Sequence, residues 1–165
     1  IAARLGEPVP LETIAPMLMI TARMPRFVHP VIGSQGRTLS FKQYDNGTVL
    51  IGGGYRGRAD LDTNRTDLDF AKLAENAQTA AALFPIMRDA QIVRAWAGIE
   101  SRFPDDIPVI GPSSTSPGIF HAFGFSAHGF QLGPAVGQVL AELVVTGRSN
   151  VPIDGLSITR FAAAP

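Results

Sequence analysis

The densest chemistry in the chain lies in Phe123-Gly124-Phe125-Ser126-Ala127-His128-Gly129-Phe130-Gln131-Leu132-Gly133-Pro134. Glycines at 124, 129 and 133 let a backbone bend sharply and approach a flat ligand closely. A short buried strand is expected before this run, at Ile119 to Phe123, and a helix after it, opened by Gly133-Pro134. A helix start turns its free N–H groups and the positive end of its dipole back on the preceding loop. A strand, glycine-rich loop and helix in that order favour a partner on which negative charge develops.

Other residues admit two readings each. Arg56 and Arg58 follow Gly52-Gly53-Gly54; they suit a substrate carboxylate, or form a solvated cationic edge. The glycine cluster lacks the G-x-G-x-x-G spacing and no helical pattern follows it. It therefore reads as a strand end where another backbone or a ligand comes close. His128 is an acid–base candidate only with a partner to orient it; otherwise it packs or hydrogen-bonds. His29 and His121 read as structural or exposed, and the three histidines show no metal-ligand spacing. Trp96 reads as core, Arg94 as the answer to a buried carboxylate, and Asp105-Asp106 as turn formers or an acid–base couple.

These residues need elements to place them. Met17-Leu18-Met19-Ile20-Thr21 reads as a buried strand between Pro16 and Pro25. The runs Thr38 to Tyr44 and Thr48 to Ile51 flank Asp45-Asn46-Gly47, the turn chemistry of a hairpin. Thr66 is the expected cap of a helix reaching Phe84, with Asp69 as a partial box partner. Phe70, Leu73, Ala74, Ala77, Ala81 and Phe84 form its core stripe. A strand is expected over Ile92 to Ile99, and a Pro-punctuated loop over residues 104 to 108. In the last helix Pro134 suits the first position. Val136, Val139, Leu140, Leu143 and Val144 line one face, and Gly147 ends it. A short β-like piece is expected around Leu156 to Ile158. The fold class is thus α+β: a mixed, largely antiparallel sheet with packing helices, then a strand-loop-helix.

Taken together, Trp96-Ala97-Gly98-Ile99, Pro104-Asp105, Pro108-Val109-Ile110-Gly111-Pro112 and Gly124 to Phe130 resemble the closing segment of the D-amino-acid oxidase family of FAD-dependent oxidoreductases. The glycine oxidase and sarcosine oxidase branch is the nearest pattern. Pro10 through Tyr55 resembles that family's substrate-domain strands, so the similarity covers nearly the whole chain. The resemblance implies a substrate-binding sheet inserted into an FAD-binding domain. Residues 1–11 would end a truncated FAD-binding segment, 12–100 form the substrate-binding domain, and 101–165 return to the FAD-binding domain. It implies oxidation of the C–N bond of an amino acid or secondary amine by hydride transfer to flavin. Gly129, Phe130, Gln131, Leu132 and Gly133 would then lie beside the flavin, their amides stabilising charge on its pyrimidine edge. Gln43, Tyr55, Arg56 and Gln131 stand as the substrate-facing candidates. The sarcosine oxidase pattern has lysine at the place of Gln131, and glycine oxidase has arginine near the place of Glu100. Carboxylate recognition here falls to Arg56 or Arg58, or the substrate is not a simple carboxylate.

The chain opens on Ile1, and Ile1 to Gly6 reads as the last turn of a helix. No G-x-G-x-x-G occurs in it. The expectation is a C-terminal part of such an enzyme, unable to hold FAD well alone, whose partner is the missing N-terminal FAD-binding half. Any flavin would be non-covalent or attached through that half. Exposed apolar surface on Val136, Leu140, Leu143 and Val144 would be covered by it or by a second copy. The alternative is a non-catalytic binding or scaffold module that keeps the oxidase substrate-domain architecture.

Composition sets the outer limits. With 14 basic and 14 acidic residues there is no electrostatic case for nucleic acid. No apolar run is long enough for a spanning helix, and a cytoplasmic setting is the expectation. The absence of cysteine removes disulfides, thiolate nucleophiles and Cys-ligated metals.

Overall fold

A computed structural model describes residues 1–162. Its strands in the first half are β1 (Glu12–Ile14), β2 (Met17–Thr21), β3 (Ile32–Gly33), β4 (Ser40–Gln43), β5 (Val49–Gly52), β6 (Arg58–Asp60) and β7 (Arg65–Asp67). Helix α1 (Phe70–Leu83) follows, then β8 (Ile92–Ala97), β9 (Glu100–Arg102), β10 (Val109–Pro112), β11 (Phe120–Phe123) and helix α2 (Gly129–Thr146). The chain forms two compact units, one of residues 14–99 and one of residues 1–13 with residues from 100 on. The α+β expectation holds.

In the unit of residues 14–99 the sheet order is β3-β4-β5-β2-β8, with every pairing antiparallel. The expected hairpin is present, pairing Ser40 with Gly52 and Gln43 with Val49. The positive φ its turn needs falls on Gly47 alone, at 88°. Tyr44 N–H donates to the Thr48 carbonyl and Gly47 N–H to that of Tyr44. This is a three-residue loop with a glycine bulge, whose twist matches the strands. The inner face of the sheet buries Met17, Met19, Phe41, Val49 and Ile51 against Leu73 and Ala80 of α1. Phe84, just past the helix, stacks on Phe41 with ring centroids 4.7 Å apart.

Helix α1 begins later than expected. Thr66 lies in β7 and its hydroxyl donates to the Ala97 carbonyl. Asp69 is the cap, accepting from the Lys72 N–H at 3.1 Å. Its side chain meets the orphan amide that Thr66 is too far upstream to reach. The predicted stripe holds at Leu73, Ala77, Ala81 and Phe84, which pack on the core, but fails near the helix start. Phe70 is 74% exposed and Ala74 exposed, while Asn76 is buried. Asn76 Oδ1 has no partner, which costs about 1–3 kcal/mol. Asp69→Ala is expected to lower stability by about 1 kcal/mol, read as a shift in the denaturation midpoint.

Strand β8 is at the sheet edge. Trp96 is therefore half-buried rather than core, and Arg94 is exposed. Its guanidinium lies 5.7 Å from the Trp96 ring centroid in place of the expected buried carboxylate. The glycine run marks a close approach, as read from sequence. A Cβ on Gly53, whose φ is +137°, would stand 2.7 Å from the Leu39 backbone.

In the other unit β10 and β11 pair antiparallel, Val109 opposite Phe123, and α2 packs on them. Val136, Val139 and Leu143 bury against Ile110. The expected docking face of α2 is thus largely enclosed within its own unit: Val136 and Leu143 are buried and Leu140 partly so. The exposed large apolar residues of the helix are Val144, with Val145 and Phe130. A second cluster holds Ala2, Phe103, Val109 and Ile158, with Phe103 stacked on Phe161 at 4.7 Å. The piece around Leu156 to Ile158 is 3₁₀ turn, not strand. Residues 163–165 lie outside the described residues. Ala2–Leu5 forms a 3₁₀ turn closed by Gly6 at φ 80°. Among the described residues no helix is long and apolar enough to cross a membrane.

Candidate functional site

Helix α2 starts at Gly129, not Gly133, so the run expected as a loop is its first turn. Pro134 lies inside the helix. The bond it cannot make would go to the Phe130 carbonyl, and Phe130 is fully exposed, so water can serve that oxygen. The first backbone bond of the helix runs from Leu132 N–H to the His128 carbonyl at 3.2 Å. The amides of Gly129, Phe130 and Gln131 are the orphan donors of this helix start.

The loop before it is held in a sparsely populated backbone region. Gly124, Ser126 and Ala127 have φ of 76°, 50° and 70°. Ser126 explains how a non-glycine residue stays there. It is buried, its Oγ accepts from Phe103 N–H at 3.2 Å and donates to the Gly124 carbonyl. Its own N–H donates to the Ser101 carbonyl. Such strain concentrates where geometry is held for function.

At the tip, Phe130 and Gln131 project from the first turn and are exposed, Leu132 packs into the α2 cluster, and Gly133 faces open space. A Cβ on Gly129 would meet Phe125 at 3.3 Å. His128 is exposed and its side chain makes no cap bond.

The other candidates lie in the unit of residues 14–99. Tyr55 and Arg56 are adjacent beyond the open end of β5, whereas Gln43 is near the turn end of the hairpin. Gln43 is 2% exposed and its amide is fully engaged. Oε1 accepts from Phe27 N–H at 3.0 Å and from Val28 N–H. Nε2 donates to the carbonyls of Pro25, Gly47 and Met24. It clamps the 24–28 segment to the hairpin, which leaves little for a ligand. The Tyr55 hydroxyl donates to Glu75 at 3.1 Å beside an open cavity of ≈ 440 Å³ that Arg37, Gln78 and Thr79 also line. A second cavity of ≈ 440 Å³ is lined by Arg56, Arg58, Asp67 and Lys72. In it Arg58 is bound to Asp67 at 2.8 Å, while Arg56 is half-buried.

Sequence reasoning missed one buried polar cluster. The Glu7 carboxylate accepts from Ser113 Oγ at 2.6 Å, from Ser114 N–H at 2.7 Å and from Ser114 Oγ at 2.8 Å. It also lies 2.9 Å from His121 Nε2. Burial pushes the Glu7 carboxyl up, but the bonds from Ser113, His121 and Ser114 together outweigh it and hold it at about 2. His121, read only as structural or exposed, is thus a buried partner. Asp105 and Asp106 are turn residues: Asp105 accepts from Ile107 N–H and pairs with Arg160, and Asp106 pairs with Arg102. Among the described residues no group of His, Asp and Glu could hold a metal ion.

The family model "DAO: FAD dependent oxidoreductase" matches residues 1–143. The chain is 28% identical to the hydrogen cyanide synthase subunit HcnC of Pseudomonas aeruginosa, over 96% of this chain and 36% of that protein. It is 32% identical to human mitochondrial sarcosine dehydrogenase, over 58% of this chain and 10% of that one. Among solved structures, L-proline dehydrogenase from P. horikoshii superposes with TM-score 0.84 at 28% identity, covering 93% of this chain and 41% of that chain. Glycine oxidase from Geobacillus kaustophilus superposes with TM-score 0.84 at 22% identity over 96% of this chain and 42% of that one. The chain spans about a third of the length of the HcnC relatives it matches, 36% and 37%.

Proposed function

The chain belongs to the DAO family of FAD-dependent oxidoreductases, and from that premise we propose that it is the C-terminal part of an enzyme oxidising the C–N bond of an amino acid or secondary amine. The observation that carries this reading is the helix start at Gly129. Three orphan amides there follow a strained loop and stand beside the exposed Phe130 ring. This arrangement fits the polar edge of a flat ring that gains negative charge. Residues 12–100 supply the substrate-binding sheet, and residues 101–165 return to the flavin-binding part.

Non-covalent FAD, when bound, supplies the hydride acceptor. The protein's contribution is preorganisation. The amides of Gly129, Phe130 and Gln131, backed by the α2 dipole, stabilise charge that develops at their end of the helix. Leu132 anchors this turn in the core of its unit, so the donors need not reorganise as charge appears. In its own unit each of Gln131 and Tyr55 is a candidate for a neutral hydrogen bond to an amine. Arg56 offers the cation for a carboxylate, since Arg58 is already paired with Asp67.

The test uses the whole protein that carries this segment. It should be yellow and lose flavin absorbance anaerobically when given sarcosine, glycine or proline. Gly129→Val crowds Phe125 and displaces the first amide; flavin reduction should slow about 10- to 100-fold. Gln131→Ala should instead raise KM by about 3- to 10-fold. Equal, mild effects from both would mean that this turn is only a connection.

A further inference from the structure

One side of α1 grips the segment from Gly52 to Arg56 at three points. Lys72 Nζ donates to the Arg56 carbonyl at 3.0 Å, Glu75 accepts from the Tyr55 hydroxyl, and Asn76 Nδ2 donates to the Gly52 carbonyl at 3.0 Å. These residues have the i, i+3, i+4 spacing of one helix face. Lys72 and Glu75 are exposed, but Asn76 is completely buried. Its Oδ1 has no donor, so half of its amide is desolvated without return. A leucine there would avoid that loss. What the asparagine supplies is the donor.

That donor meets the chain where it has least direction of its own. Gly53 and Gly54 have φ of 137° and 87°, and glycine pairs have many alternatives open to them. We propose that Asn76 is a positioning residue: it pins the end of β5 and so sets where Tyr55 and Arg56 stand. Two backbone bonds report that placement. Met17 N–H donates to the Tyr55 carbonyl at 2.8 Å, and Gly57 N–H to the Ala15 carbonyl at 3.0 Å. The link from this segment to substrate rests on the functional reading above.

The experiment is residue-resolved hydrogen exchange on the full-length protein carrying Asn76→Leu, with melting temperature and steady-state kinetics alongside. The amides of Met17 and Gly57 should exchange about tenfold faster, a larger local change than any fall in melting temperature accounts for. Asn76→Asp supplies a second route should the leucine variant not fold. Its buried carboxyl can donate to Gly52 only when protonated, so protection corrected for intrinsic exchange should return as pH falls. Unaltered exchange at both amides in the leucine variant, or exchange in the aspartate variant that does not change with pH, overturns the proposal. Faster exchange with an unmoved KM upholds the positioning role and sinks instead the assignment of Tyr55 and Arg56 to substrate.

Discussion

Glu7→Gln should cost about 3 kcal/mol of stability at neutral pH, because a buried carboxylate with four hydrogen-bonding neighbours is replaced by a neutral amide. One side of that amide can only donate, so it cannot take the bonds that Ser114 or Ser113 offers. The pH dependence gives a sharper test. The folded Glu7 carboxyl sits at about 2, below its ordinary 4.5. A depressed acid contributes stability that is complete above the unfolded value and is lost as pH falls through the folded one. Wild-type stability should therefore fall between about pH 4.5 and 2, and part of that slope should be missing in the variant. Denaturant titrations at several pH values, followed by circular dichroism, measure both. Parallel profiles for the two proteins would remove Glu7 as the source.

Gly124→Ala should cost about 2–4 kcal/mol, approaching the loss of the ring it faces. Gly124 has φ +76°, and a Cβ there would lie 2.1 Å from Phe103 Cε2. The left-handed backbone costs an alanine about 1 kcal/mol, and the overlap with a fully buried ring about 1–3 kcal/mol more. Phe103→Ala alone should cost about 3–5 kcal/mol through the cavity it leaves. The two changes share one space, so the double variant should be more stable than the sum of the single losses, by about 1–2 kcal/mol. A strictly additive cycle would show that the ring does not constrain position 124.

What the sequence revealed follows from how local each cause is. The hairpin across residues 38–53 was legible because Asn46-Gly47 lies between two β-rich runs, and the turn needs only those residues. The start of α1 was misplaced because Thr66 and Asp69 are both good caps. Thr66 is drawn into β7 by its pairing with Ala59 and by its hydroxyl bond to Ala97, 31 residues away. Pro134 misled about α2 for a similar reason. Proline at a first position is the common case, and its place inside this helix depends on Phe130 facing water. In sequence Gln43 reads as available to a substrate, since nothing in its neighbourhood announces five backbone partners reached from Met24 to Gly47. The Glu7–His121 pair spans 114 positions and leaves no periodic trace. By contrast, the segment from Gly124 to Phe130 stood out, since its glycines and the helix behind it are contiguous.

The unit built from residues 1–13 and 100 onward is interrupted by all of the other unit. From an unfolded chain, bringing Glu7 to Ser113 across 106 residues closes a loop at roughly 4 kcal/mol of entropy. The intervening residues can remove about 1 kcal/mol of that. Met17 is paired directly with Ala97, on neighbouring strands about 4.8 Å apart. Once that sheet has formed, the effective loop between Glu7 and Ser113 shrinks to about 26 residues. Assembly thus has a preferred order, sheet first and the split unit second. Damage to the β2–β8 pairing would be felt as slow closure of a unit that contains neither strand.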